Sequence, residues 1–388
     1  LLKDNDIDYN DPNTTFVVEG ELDLTTLKEA YRLIMKEYPP LMSTIGVIDG
    51  QPYFIYDEKL FHLPFESINI PSDTEEELFV NTSIEKMTNV PFNLESEYPC
   101  RFVAFIGKRR TYLYHLFHHV VMDGRTLFAF FGRVSEIYNQ LKHNNYQEQS
   151  QVSDLLTYDE LLNCDYLSKR EENIQFWKQY MGDIPLCLPL PMTGKKDCDS
   201  RKTTSTVNEL GEKPFIVEFE LGRQTYLDVK SFCLQRQTKP FRLLSTVWAI
   251  TLSKIFGTDR FLLDHALNLC PPAFKHLLGV FINNLPLRYD FTNPDISILQ
   301  LLDEANHHRQ MELDKTSIFY HDLLQHDGLN VGINYPLRLT SLTMPLEGCS
   351  SSFFRHVHVP LHQDIVLCIE DNETGDCALF FNPDIDPA

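Results

Sequence analysis

Apolar and polar positions follow two rhythms along this chain, one of period two and one of helical spacing, and they take turns. Residues 14–18 form a β-rich run that ends at Gly20. Leu27, Ala30, Tyr31, Ile34 and Tyr38 then fall on one helical face, with Thr26 and Glu29 at capping-box spacing, and Pro39-Pro40 stops the run. Residues 45–48 and 53–56 flank Asp49-Gly50, the dipeptide favoured in a tight hairpin. Residues 83–87 predict a short helix before Pro91, and 101–106 and 111–117 predict strands. Beyond Gly124 one stripe of Leu127, Phe130, Phe131, Val134, Ile137, Tyr138 and Leu141 predicts a long amphipathic helix.

The second half repeats the style. A helix is expected over about 169–181, with Phe176 and Trp177, leading into the proline-rich run 185–191. Residues 142–153 and 195–212 are polar, and the second stretch reads as a connector. Residues 215–219 alternate as a strand. Thr238 is the expected cap of a helix with Pro240 in its first turn, an apolar face of Leu244, Val247, Trp248, Leu252 and Ile255, and Gly257 at its end. Strands follow over 261–267 and 280–287, then a helix marked by Ile298, Leu301, Leu302 and Ala305. The closing hairpin pairs 365–370 with 377–381. The pattern predicts an α+β protein of two similar halves, 1–185 and 186–388, with no repeat in sequence.

Composition narrows the function. A chain of 388 residues, 43% hydrophobic, has material for two cores. A net charge of −21 argues against nonspecific binding to nucleic acid or an anionic membrane. The basic cluster Lys108-Arg109-Arg110 reads as a solvated turn. Nine cysteines at scattered positions, with no C-x-x-C pair, predict reduced thiols in the cytoplasm rather than a disulfide framework or a zinc site. No apolar run approaches the ~18 residues of a membrane span. The chain starts at Leu1 and reads like the ordered part of a longer polypeptide.

The chemistry concentrates in His118-His119-Val120-Val121-Met122-Asp123-Gly124, between a predicted strand and the long helix. A histidine there titrates near neutrality and can take a proton from a hydroxyl or amine. Asp123 has two possible roles: orienting the imidazole, or fixing the loop through an arginine. Gly124 lets the chain turn and leaves room for a substrate. No G-x-S-x-G nucleophile is present, which favours direct attack by an acceptor. Metal ligation and a purely structural role are the alternatives for these side chains, although no H-E-x-x-H pattern exists. The second doublet, His307-His308, lies in a predicted amphipathic helix and reads as a solvated face.

These motifs resemble the condensation-domain superfamily of nonribosomal peptide synthetases and related acyltransferases. Tyr38-Pro-Pro-Leu-Met-Ser-Thr44 is similar to the family's His-Pro-x-Leu-Arg-Thr segment, and Pro91-Phe-Asn-Leu94 with Pro99-Cys-Arg101 to its Pro-Phe-Asp-Leu…Pro-Leu-x-Arg segment. Phe176-Trp177 through Leu188-Pro-Leu-Pro191 resembles its linker. Gly279-Val-Phe-Ile-Asn283-Asn284-Leu-Pro-Leu-Arg288 resembles Gly-x-Phe-Val-Asn-Thr-Leu-Pro-Leu-Arg, while Asn334-Tyr335 and Phe381-Asn-Pro-Asp384 resemble the closing strands. Met42, Tyr38 and Asn284 depart from the pattern. The stretch His265-Ala-Leu-Asn-Leu-Cys-Pro-Pro272 is closer to freestanding alcohol acyltransferases, and no Asp-Phe-Gly-Trp-Gly segment occurs.

The resemblance implies two chloramphenicol-acetyltransferase-like lobes in a V-shaped pseudo-dimer with a central tunnel. It implies acyl transfer from a phosphopantetheine thioester, on a carrier protein or coenzyme A, to an amine or alcohol acceptor, with no permanently bound cofactor. His119 is then the general base, His118 its support, and Asp123 the partner of Arg288. Asn283 and Asn334 are candidate tunnel-lining residues. Two other readings share the motif: an epimerase on a carrier-bound aminoacyl thioester, which needs a second acid/base group, and an inactive module that binds carrier proteins.

Overall fold

The computed structural model describes residues 12–146, 160, 169–191, 215–315, 318, 323–324, 328–335, 341–355, 363–382 and 385. In chain order the first elements are β1 (Asn13–Gly20), α1 (Leu24–Glu37), β2 (Thr44–Ile48), β3 (Gln51–Ile55) and β4 (Phe65–Asn69). Then come α2 (Glu76–Thr88), β5 (Cys100–Ile106), β6 (Arg110–Phe117), α3 (Gly124–Lys142) and α4 (Arg170–Met181). The second half runs β7 (Phe215–Glu220), α5 (Arg223–Gln235), α6 (Pro240–Phe256), β8 (Arg260–Asn268), β9 (Ile282–Asp290) and α7 (Ile298–Asp314). It closes with β10 (Val331–Asn334), β11 (Cys349–Arg355), β12 (Ile365–Ile369) and β13 (Asp376–Phe381).

Two α+β units emerge, as the period-two and helical patterns predict. They are discontinuous in sequence where a single cut after residue 185 was expected. Unit 1 comprises Leu1–Leu161, Pro271–Val280 and Leu339–Val359; unit 2 takes the rest. The reason lies in pairing and packing. β11 comes from the far end of the chain yet pairs antiparallel with β1, Val18 opposite Ser351. Helix α4, expected in the first half, buries Trp177 and Met181 in a cluster with Leu262 of β8.

The sheet of unit 1 has the order β11-β1-β6-β5-β4, antiparallel except for β4 beside β5. Alternation along β5 and β6 serves both faces. Phe102, Ala104, Leu113 and Phe117 join one buried cluster with Tyr31 and Ile34 of α1 and Phe130, Phe131 and Val134 of α3. Val103, Phe105, Tyr112, Tyr114 and Leu116 face the other way, onto Val80 and Ile84 of α2. Each such buried side chain contributes about 1.5–3 kcal/mol, so a one-residue slip of register would forfeit both faces at once. The β2–β3 hairpin turns on Asp49 and Gly50, both with positive φ (51° and 78°), the geometry that Asp-Gly supplies.

Several boundaries moved. Helix α1 starts at Leu24 under Asp23, whose Oδ1 accepts from the backbone N–H of Thr25 and Thr26, each at 3.0 Å. That displaces the expected Thr26–Glu29 capping box, and Glu29 pairs with Arg32 instead. Helix α2 begins at Glu76 rather than 83, because only Val80 and Ile84 are buried and the polar turns before them carry no periodic signal. The basic cluster is answered by acids: Arg110 Nε donates to Glu19 at 2.7 Å. Strands β4 and β11 and helix α5 had no prior expectation.

Unit 2 has the sheet order β7-β13-β12-β10-β8-β9, with β10 parallel to β12 and β8. Leu244, Trp248, Ala249 and Leu252 of α6 cover one face, over Phe261, Leu263, Val331 and Ile365. Thr238 does not cap α6; its hydroxyl donates to Asn306 Oδ1 at 2.6 Å, and Lys239 holds the cap position without a side-chain bond. Gly257 ends the helix at φ 62°, as predicted. Only His307 of the second doublet is exposed. His308 is half-buried, its Nδ1 3.3 Å from the Tyr180 hydroxyl. Cys100, Cys187, Cys233, Cys270, Cys349, Cys368 and Cys377 are free thiols. The connector expected at 195–212, the polar residues 147–153 and Asp384 lie outside the described residues.

A buried carboxyl on β8 makes stability depend on pH. Asp264 is 2% exposed, and Asn284 Nδ2 donates to its Oδ2 at 2.8 Å, with Gln363 Nε2 donating to the same atom. Loss of hydration outweighs those donors and pushes its pKa up to about 7. A folded-state value above the unfolded ~3.9 gives stability that is complete at low pH and lost as pH rises toward 7. Relative to Asp264→Asn, the wild type should lose about 4 kcal/mol in total between about pH 4 and pH 7. Urea denaturation of both proteins at pH 5, 6 and 7.5 checks this; a pH-independent difference would refute it.

Candidate active site

The connection from β6 to α3 is built by backbone needs before any chemistry is considered. At its near end His118 N–H donates to Pro99 O at 2.9 Å, and Val121 N–H to His118 O at 3.1 Å. Val121 and Met122 are fully buried in the cluster beneath α1 and α3. Tyr38, a departure from the family pattern, donates its hydroxyl to Val121 O at 3.0 Å. At the far end Asp123 is the N-cap of α3, in extended conformation, with Oδ1 accepting from Thr126 N–H at 2.8 Å. That satisfies one of the backbone donors orphaned at every helix start.

The two histidines occupy different environments. His118 is buried, and its Nδ1 accepts from Val120 N–H at 3.0 Å. Burial, and then the neighbouring His119, press its pKa down to about 4. It is a neutral brace for the loop. His119 is partly exposed, and its ring bonds its own backbone carbonyl. One ring N–H is thereby committed, so in the neutral imidazole the other nitrogen carries a lone pair. Burial lowers its pKa below the ordinary 6.5, while the bond to its own carbonyl and the charge of Asp123 pull it back up. At pH 7 His119 is therefore neutral and able to accept a proton.

Gly124 corrects one expectation. It is the first residue of α3 and is absent from the positive-φ glycines, so the turn does not require it. A Cβ there would meet nothing within 4 Å. What the glycine provides is open space beside the loop.

His118, His119, Asp123 and Gly124 thus come together in unit 1. Asn283, Arg288 and Asn334 lie in the sheet of unit 2. Asn283 donates from Nδ2 to Ile318 O at 2.8 Å and accepts from Asn284 N–H at 3.1 Å, bonds that stabilise the start of β9. Arg288 donates to Tyr180 O at 3.1 Å and lies 3.6 Å from Asp290. Asn334 is half-buried at the end of β10. Sequence reasoning missed Arg125 and Thr126, which bond residues 275–279, and His115, a buried neutral imidazole held by Tyr31 beneath the helix. Their partners are distant in sequence, so no local pattern marks them. Among the described residues no group of three or more His, Cys, Asp or Glu is arranged to hold a metal ion, and no helix is long and apolar enough to cross a membrane.

The family model described as "Condensation domain" matches residues 1–328. Gramicidin S synthase 2 of Aneurinibacillus migulanus is 21% identical over 307 residues, which are 78% of this chain and 7% of that protein. The hybrid PKS-NRPS synthetase xenE of Xenoacremonium sinensis is 24% identical over 71% of the chain and 7% of its own length. The chain therefore spans a small fraction of these relatives. Among solved structures, the complex of the X-domain and OxyB from teicoplanin biosynthesis gives a TM-score of 0.80 at 14% identity, over 99% of this chain and 86% of that one. A double mutant of the starter condensation domain of rhizomide synthetase RzmA, in complex with C8-CoA, gives 0.76 at 15%, over 97% and 84%.

The cap at Asp123 can be separated from its charge. Asp123→Asn retains an oxygen that accepts from Thr126 N–H, whereas Asp123→Ala does not. The alanine variant should lose about 0.5–2 kcal/mol more than the asparagine variant, the range for a lost N-cap. Equal losses in urea denaturation would show that the cap contributes nothing.

Proposed function

The chain belongs to the Condensation domain family, and on that premise we propose that it transfers an acyl group from a phosphopantetheine thioester to an amine or hydroxyl. The thioester is borne by a carrier protein or by coenzyme A. The observation that carries the reading is the division of labour at the doublet. His118 is locked by a backbone N–H, while His119 is partly exposed, neutral at pH 7 and fixed in tautomer by its own carbonyl.

In this mechanism the acceptor's N–H or O–H donates to the lone pair of His119. As its nitrogen or oxygen bonds to the thioester carbonyl carbon, the proton passes to the imidazole. The tetrahedral intermediate then collapses, the C–S bond breaks, and the departing sulfur takes the proton from His119. Donor and acceptor become thiol and amide or ester, and the base is restored. General-base catalysis of this kind contributes roughly 10²–10⁴-fold, and alignment of the two substrates supplies the remainder. The open space at Gly124 leaves room for a substrate beside the loop. The rhizomide neighbour, solved with C8-CoA, supports a thioester donor and suggests octanoyl-CoA as a probe.

A second reading has one observation behind it: the similar X-domain is found in complex with another protein, OxyB. On that reading the chain recruits a partner and His119 is idle.

His119→Ala separates the two. With octanoyl-CoA and a panel of amine and alcohol acceptors, turnover should fall by at least roughly 100-fold while the melting temperature holds. The wild-type kcat/KM should fall with acid along a limb whose midpoint lies below pH 6.5, and the variant should lack that limb. Wild-type turnover by His119→Ala would rule out the base.

A further inference from the structure

The first turn of α3 places a cation where the helix dipole disfavours one, two residues beyond the Asp123 cap. That cation is Arg125. Its guanidinium donates from Nη1 to Lys275 O and from Nη2 to Leu277 O, each at 2.6 Å. The adjacent Thr126 is fully buried; its hydroxyl donates to Gly279 O at 2.5 Å and accepts from Gly279 N–H at 3.2 Å. Residues 275–279 belong to a loop between β8 and β9 whose neck is closed by Leu269 N–H to Phe281 O at 2.7 Å. Away from any sheet, its carbonyls need donors from elsewhere. Leu277 and Leu278 are buried, and Leu278 enters the same cluster as Val121 and Met122.

We infer that Arg125 and Thr126 are positioning residues, mooring 275–279 on α3 so that Leu278 holds the Val121–Met122 end of the loop that presents His119. The inference rests on His119 being the base, and it deepens that reading. Neither residue acts on the substrate. They act through the apolar contact beneath the catalytic loop, and a small displacement of a reacting group costs rate far more than it costs binding.

The test combines hydrogen exchange with kinetics. Arg125→Met removes the guanidinium bonds to Lys275 O and Leu277 O, whereas Arg125→Lys keeps the charge and can reach one carbonyl. In the methionine variant, amide exchange should rise at least about tenfold at 276–280 and at 121–122. Its kcat with octanoyl-CoA should fall roughly 10–100-fold while KM stays within about twofold. The acid limb of the pH profile should persist, and Arg125→Lys should recover part of the kcat.

If Arg125→Met does not fold, Thr126→Val, which keeps the shape and drops the hydroxyl, provides the same readings at 278–280. Wild-type kcat in a variant whose loop exchanges faster overturns the inference, and so does unchanged exchange. A kcat loss equal to the lost folded fraction also overturns it. Turnover retained in His119→Ala but lost in Arg125→Met would reject the base and keep the mooring; the converse would reject the mooring and keep the base.

Discussion

The start of α3 is the constraint on which the rest of unit 1 depends. A helix of 19 residues must begin somewhere, and its first N–H groups need partners wherever that is. Asp123 meets that need from the last position of a short, buried loop, and in doing so fixes where the loop can go. The fully buried Val121 and Met122 pull the loop inward, while the bond from Val120 N–H to His118 ties down its outer edge. His119 is the residue in the doublet whose ring is left partly exposed by these requirements. The exposure of His119 is thus a by-product of capping and packing, on a loop held by a rigid scaffold.

Desolvation sorts the histidines of this region by role. His115, wholly enclosed and held by Tyr31, is pushed to about 3, and His118 to about 4. Both are neutral at pH 7 and serve as shape and acceptor. His119 also feels burial, but it keeps a bond to its own carbonyl and the charge of Asp123 in reach. One loop thus holds two histidines of different exposure to water, and burial acts on them unequally.

Helix α3 also gathers the two late segments of unit 1. Its first turn holds 275–279, and near its other end Asn139 donates to Pro345 O at 3.1 Å and accepts from Glu347 N–H at 2.8 Å. His143 lies 2.6 Å from Glu347. The second of these segments continues into β11, which completes the sheet against β1. A chain that crosses back twice needs donors and acceptors waiting for it, and most of those described on α3 are polar residues off its apolar stripe.

Much of this was readable in the residues themselves. Periodicity located β5, β6, α3, α6 and the closing hairpin, because each buries a regular face and local spacing encodes that. Asp49-Gly50 encoded its own turn through positive φ. The His118–Gly124 segment stood out as the candidate site because two histidines, an acid and a glycine sat together in one short loop. Tertiary structure decided what depends on distant partners. β11 has no meaning until β1 stands beside it, and Arg125 looks like a misplaced surface charge until Lys275 and Leu277 offer their carbonyls. Gly124 reads as a turn until its φ proves ordinary and only the space beside it remains. A local pattern fixes which face of an element is apolar; the bonds made by its polar side chains are fixed only when the rest of the chain arrives.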